Sequence, residues 1–231
     1  MKKLFIIFSL MLGTLFGYAT EEAVLQEQNS IQSRINRVGT EILNSNKIEK
    51  RIIFANGKEE KIGLLKGNKT LTKRQVIVYD NIYKQIETDD ELAGFMAREI
   101  ALASRSYDGL GNGWLSSVKI KAAPKKYELV FDKLAVDYMV KAGYNPLGLI
   151  ILINKTCPQV RQDKLSSKNL TSKRLGYIYE RIYSQYPSFL VDNEYLTNTY
   201  YQNFLLTSLE NRKIAKKKVE NPSANRKLKY E

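Results

Sequence analysis

The sequence predicts an α+β fold, helix-rich, with a small sheet near its start. Three observations carry this: long stretches with apolar residues at helical spacing, three short β-favouring runs confined to residues 51–79, and the absence of any internal repeat or low-complexity linker. A chain of 231 residues that is 43% hydrophobic can bury one sizeable core. The expected division is a leader over residues 1–19, one domain over 20–210 and a basic tail over 211–231.

The leader is read from Lys2 and Lys3, the apolar stretch from Leu4 to Phe16, and the small residues Gly17 and Ala19. This is the pattern of an export signal, with cleavage expected after Ala19. The apolar stretch is shorter than the ~20 residues a spanning helix needs. The mature protein is therefore expected in the periplasm or outside the cell.

Val24, Ile31, Ile35, Val38 and Ile42 share one face of a helix expected from Glu22 to Asn44. Strand-like runs follow at Arg51–Ala55, Lys61–Leu65 and Gln75–Tyr79, separated by Asn56-Gly57 and Lys66-Gly67-Asn68, which suits an antiparallel sheet. Thr88, with Glu91 three residues later, forms a capping-box signature, and Asp89 and Asp90 favour the same helix start; this helix should run to Ser106. After the glycine-rich break at 108–113, helices are expected over Tyr127–Ala142, stopped by Gly143, and over Leu147–Asn154, Ser172–Tyr186 and Asn193–Lys217.

Charge and composition exclude much chemistry. There is no histidine, so a Ser-His-Asp triad, a Cys-His pair and His-ligated zinc are all ruled out. The single cysteine, Cys157, allows no internal disulfide or cysteine metal cluster and has no imidazole to activate it. The formal net charge is +13, and much of it gathers in residues 211–231, where Arg212, Lys213, Lys216, Lys217 and Lys218 are followed by three more cations. In an exported protein such a run points to an anionic envelope surface; with no nucleic-acid fold signature, nucleic acid is not expected. Neither Gly63–Thr70 nor Gly109–Gly113 has the spacing or the preceding strand of a nucleotide-binding loop.

Three carboxylates stand where apolar residues are expected. At about 100° per residue, Glu99 falls within the stripe of Leu92, Met96 and Ala103, with Arg98 and Leu102 on its flank, while Glu128 and Asp132 fall within the stripe of Leu129, Val136 and Met139. Buried carboxylates need a partner, and Arg98 is expected to pair with Asp132 or Glu128.

Here the chain resembles a family. Gln75 to Ala103, ending Asp-Asp-Glu-Leu-Ala-Gly-Phe-Met-Ala-Arg-Glu-Ile-Ala-Leu-Ala, is similar to the strand, helix and active-site helix of the gluzincin zinc endopeptidases, the family of the CAAX prenyl endopeptidases and the heat-shock protease HtpX, in its exported bacterial branch. Glu128-Leu-Val-Phe-Asp132 resembles that family's Glu-x-x-x-Asp, and Ala142-Gly-Tyr-Asn-Pro146 the segment that follows it. Ser166-Ser-Lys-Asn169 and Arg174 resemble its later Ser-His-Pro segment and arginine. The resemblance spans about Ile31 to Pro187 and implies a zincin-like fold. It makes Glu99 the remnant general base, Glu128 the one retained zinc-ligand position and Asp132 the acid that orients a ligand histidine. Arg98 and Leu102 occupy the two histidine positions of His-Glu-x-x-His, and Lys168 that of a later histidine. Arginine does not deprotonate and leucine has no donor atom, so no bound zinc is expected.

The function this implies is a non-catalytic pseudopeptidase that binds a protein or peptide segment in the former substrate groove, with Gln75–Tyr79 as the strand an extended partner would join. Two alternatives remain at this level. One is an active metallopeptidase with a rearranged or partner-supplied zinc site. The other is a carboxylate-based hydrolase pairing Glu99 with Glu128 or Asp132 beside tyrosines such as Tyr177, Tyr183 and Tyr200.

Overall fold

The computed structural model describes residues 25–58, 74–106, 124–157, 170–221, 223 and 228–230. The leader, the run Lys61–Leu65, the glycine-rich break and the segment holding Lys168 lie outside these residues. In chain order the elements are α1 (25–45), β1 (Ile53–Gly57), β2 (Gln75–Tyr79), α2 (Asp80–Tyr83), α3 (Asp89–Ser106), α4 (Pro124–Lys141), α5 (Leu147–Thr156), α6 (Leu170–Gln185), α7 (Ser188–Val191), α8 (Thr199–Thr207) and α9 (Leu209–Glu220). Both parts of the α+β expectation are present, many helices and a small early sheet.

The sheet corrects one expectation. β1 and β2 run parallel, with Ile53 opposite Gln75 and Gly57 opposite Tyr79. Alternating burial, seen in the fully buried Val76 and Val78, gives a strand its faces but not its direction. The residues between Gly57 and Gln75 are enough for the dozen or more that a parallel crossover needs.

α3 is the central element and packs against α4, α5 and β2. Leu92, Met96 and Ile100 are fully buried. The start of α3 shows one half of the capping box: the Glu91 N–H donates to Thr88 Oγ1 at 3.2 Å, while the Glu91 carboxylate reaches one residue further back and accepts from the Glu87 N–H at 3.1 Å. α1 is lashed to the same end by Arg34, whose Nε lies 2.7 Å from Asp89, and by Arg37. Burial alone would raise the Asp89 carboxyl, but the Arg37 and Arg34 guanidiniums hold it below its ordinary value.

α5 is buried from Leu147 to Asn154 and is apolar around its circumference, as a helix enclosed by others must be. It approaches α3 closely because both contribute a glycine. A Cβ on Gly148 would stand 2.6 Å from the Asp90 carbonyl carbon, and one on Gly94 would stand 3.0 Å from Leu149 Cα. At the end of α5, Lys155 Nζ lies 3.0 Å from the fully buried Glu91 carboxylate and 5.1 Å from the centre of the Tyr200 ring.

The expected helix over Asn193–Lys217 is two helices. Ser208 ends α8 at φ −105°, ψ 12°, and its hydroxyl donates to the Phe204 carbonyl. The Arg212 guanidinium takes up the Leu205 carbonyl at 2.8 Å, as a cation at a helix C-terminus favours. Of residues 211–231, read from charge as a tail, the described part packs on α6. Asn211, Ala215 and Lys218 are buried, Asn211 Nδ2 donates to Ser172 Oγ at 2.8 Å, and Tyr230 fits over Gly176 with its hydroxyl 2.5 Å from Glu180. Charge alone does not reveal this, because the cations of α9 alternate with its inward face.

Two outcomes are expected. Gly148→Ala drives a methyl into the α3 backbone and should destabilise the fold by about 1–3 kcal/mol in urea unfolding. For Glu91, burial raises the carboxyl pKa, and the Lys155 hydrogen bond only partly opposes this. Its folded value therefore lies above its unfolded one, so its contribution is complete below the unfolded pKa and is lost as pH rises through the folded value. Lys155→Met removes the opposing pull, so its stability deficit should be larger at about pH 8 than at about pH 4, reaching about 3–5 kcal/mol. Equal deficits at both pH values would show that Glu91 does not depend on Lys155.

Candidate functional site

The structure brings Arg98, Glu99, Glu128, Asp132 and Arg174 together between α3, α4 and α6. Asp132 and Arg174 are fully buried, Glu99 is 2% exposed, Arg98 4% and Glu128 9%. The 3.6-residue repeat turns Arg98 on α3 toward α4, and Asp132 lies on the α4 face that carries Ala135, Val136 and Met139 into the core.

Asp132 is the hub. Its Oδ2 accepts from Arg174 Nε at 2.6 Å, and its Oδ1 accepts from Arg174 Nη2 at 2.8 Å, so α6 grips α4 with a two-bond fork. Oδ1 also accepts from Arg98 Nε at 3.2 Å, bringing in α3. Arg98 Nη1 then donates to the neighbouring Glu99 at 2.9 Å. Arg98 thus chooses Asp132, of the two partners the sequence left open, and Glu99 takes the cation's other end.

Arg174 Nη1 points at Cys157 Sγ, 3.8 Å away, just past the end of α5. Burial works against the charge on Arg174. The Asp132 charge and hydrogen bonds, with smaller help from Cys157 and Glu128, outweigh it and raise the guanidinium above its ordinary value. Glu128 stands one turn before Asp132 and places its charge on this cation. Leu102, one turn after Arg98, is 6% exposed in a small apolar cluster with Ala101 and Phe131. Of the remnant-site residues Arg98, Glu99, Leu102, Glu128, Asp132, Lys168 and Arg174, only Lys168 falls outside the described part. Cys157 is the contact that sequence reasoning missed, and nothing in its local pattern marks it.

The arrangement does not fit zinc. Arg98, which the resemblance sets at a ligand position, donates hydrogen bonds where a ligand would donate a lone pair, Leu102, set at another, has no polar side-chain atom, and Asp132 is taken up by two guanidiniums. Among the described residues no group of three or more Cys, Asp or Glu is placed to hold a metal ion. Several of the tyrosines in the second half of the chain have partners away from this cluster. Tyr179 and Tyr201 are buried in the main core, Tyr177 meets Tyr230 edge to face, and Tyr186 and Tyr195 hydrogen-bond Asp137 and Asp90.

Comparison with protein-family models, with curated proteins and with solved structures finds no match to the chain.

Removing one partner of such a network strands a buried charge. Arg98→Ala should cost about 3 kcal/mol or more, and Asp132→Ala, which strands two guanidiniums, about 5 kcal/mol, read from chemical denaturation. Combining Asp132→Leu with Arg174→Met should cost less than the sum of the two single changes. An unchanged melting temperature in Arg98→Ala would show that the pair carries no structural weight.

Proposed function

We propose that this chain is a degenerate relative of the HtpX-type gluzincin endopeptidases: an exported pseudopeptidase that keeps a zincin-like scaffold, has lost catalysis, and binds an extended protein segment in the former substrate groove. The observation that carries the reading is the pairing of Arg98 with Asp132. In the family that the sequence resembles, the acid at this position orients a histidine that holds zinc. In this chain the acid keeps an orienting role, while the residue at the ligand position is a permanent cation. The Arg174 position, an arginine in the family, bonds the same acid. Arg98 is thus the cation this chain adds: it bonds Asp132 together with Arg174 and compensates Glu99, so the carboxylates Asp132 and Glu99 need no metal.

In this reading binding replaces cleavage. An extended partner joins the sheet alongside β2, where backbone hydrogen bonds supply affinity and alternate side chains supply selectivity. The location is the periplasm or the cell exterior, and the partner is a protein or peptide rather than nucleic acid.

Zinc stoichiometry tests the reading. The purified chain, incubated with zinc and exhaustively dialysed, should carry well below one zinc per chain by elemental mass spectrometry and should leave an unfolded protein substrate intact. One zinc per chain, lost in Glu128→Gln together with cleavage of that substrate, would replace the proposal with an active metallopeptidase.

A further inference from the structure

The outward side of the α8–α9 pair carries a pattern that the core does not use. Leu206 is 79% exposed and Leu209 50% exposed, three positions apart across the Ser208 turn. Along α9 the exposed residues Lys213, Lys216 and Lys217 continue from Leu209 at steps of four, three and one, which puts them within about 100° of one another around the helix. The opposite face carries the buried Asn211, Ala215 and Lys218 and packs on α6. α9 thus presents Leu209 followed by three cations, of which Lys216 stands at the edge of the packed face, 5.8 Å from the centre of the Tyr183 ring, and Leu206 is exposed at the end of the helix before it. Glu210 pairs with Lys213 at 2.8 Å, and Glu220 accepts from the Tyr183 hydroxyl at 3.3 Å.

We infer that this stripe is a docking surface for a bilayer carrying anionic phospholipid. Leu206 and Leu209 enter the headgroup–acyl boundary, while the long stems of Lys213, Lys216 and Lys217 lie over apolar surface and reach the lipid phosphates. A purely polyanionic partner would use the lysines and leave the leucines exposed to water. A purely apolar partner would have to desolvate three ammonium groups. A lipid surface meets both requirements. No helix among the described residues is long and apolar enough to cross a membrane, so this contact is one of lying on the surface. Lys218 is not part of it, because its ammonium is buried 4.0 Å from the centre of the Tyr230 ring. The inference stands independently of the pseudopeptidase reading.

A local probe tests it in the full chain, since the apolar segment from Leu4 to Phe16 would mask bulk vesicle binding. A polarity-sensitive fluorophore is attached to Leu206→Cys, and to Ser33→Cys as a control at an exposed position of α1; native Cys157 is buried. With vesicles of phosphatidylcholine and phosphatidylglycerol, emission at position 206 should rise several-fold and shift to shorter wavelength, with no change at position 33. The change should fall at least tenfold in Lys213→Glu/Lys216→Glu/Lys217→Glu, and it should be absent with phosphatidylcholine alone. A response at 206 without vesicles that grows with protein concentration would overturn the inference in favour of self-association. Equal responses at both positions, or a response to soluble polyanion equal to that with vesicles, would also overturn it.

Discussion

The carboxylate of Asp132 is the point on which the helical assembly turns. Its two oxygens accept three hydrogen bonds from two guanidiniums, one on α3 and one on α6, while the carboxylate itself belongs to α4. Each of these charges would be costly to bury alone, and the cost is met only when all three helices are in register. Neighbouring apolar contacts such as Leu92, Met96 and Val136 supply most of the burial, but they tolerate small slips of one helix along another. A bidentate fork at 2.6 and 2.8 Å does not. The ionic hub therefore sets the positions that the apolar core then stabilises.

Much of this site can be read from the sequence. A carboxylate at helical spacing inside an apolar stripe must be compensated, and Glu99, Glu128 and Asp132 are visible on that ground alone. The choice of partner is not visible, because the partners of Asp132 lie 34 and 42 residues away and local periodicity carries no information over that distance. Cys157 beside Arg174 is hidden for the same reason. Helix positions follow from caps and periodicity, as the Thr88–Glu91 start and the turn at Gly143, φ 84°, show. The direction of β1 relative to β2 and the break at Ser208 do not, because both are decided by tertiary packing. Alternating burial is equally consistent with parallel or antiparallel pairing, and a serine whose hydroxyl bonds the carbonyl four residues back is compatible with a continuous helix as well as with a break.

The last helix illustrates a limit of charge counting. A run rich in lysine and arginine reads as a solvated tail, yet α9 devotes part of that charge to the fold. Arg212 and Lys218 lie over the rings of Tyr179 and Tyr177, Lys218 approaches Glu180 at 3.7 Å, and Lys216, exposed at the edge between the packed and outward faces, stands 5.8 Å from the centre of the Tyr183 ring. The aromatic rings of α6, which composition could assign to ligand stacking, serve as the surface on which these cations rest. What remains for contact with the outside is the far side of the same helix, and its composition differs from the average of the run.

The hub also changes how stability relates to surroundings. A core organised by a bound metal is stabilised by mass action, gaining as the free ion becomes abundant and weakening when a chelator or a competing protein removes it. Arg98 and Arg174 are covalently part of the chain, so the positive charge at Asp132 is present at fixed stoichiometry from the moment of synthesis. The stability that this network contributes is therefore a constant of the sequence, independent of the concentration of any small ion that must first be bound.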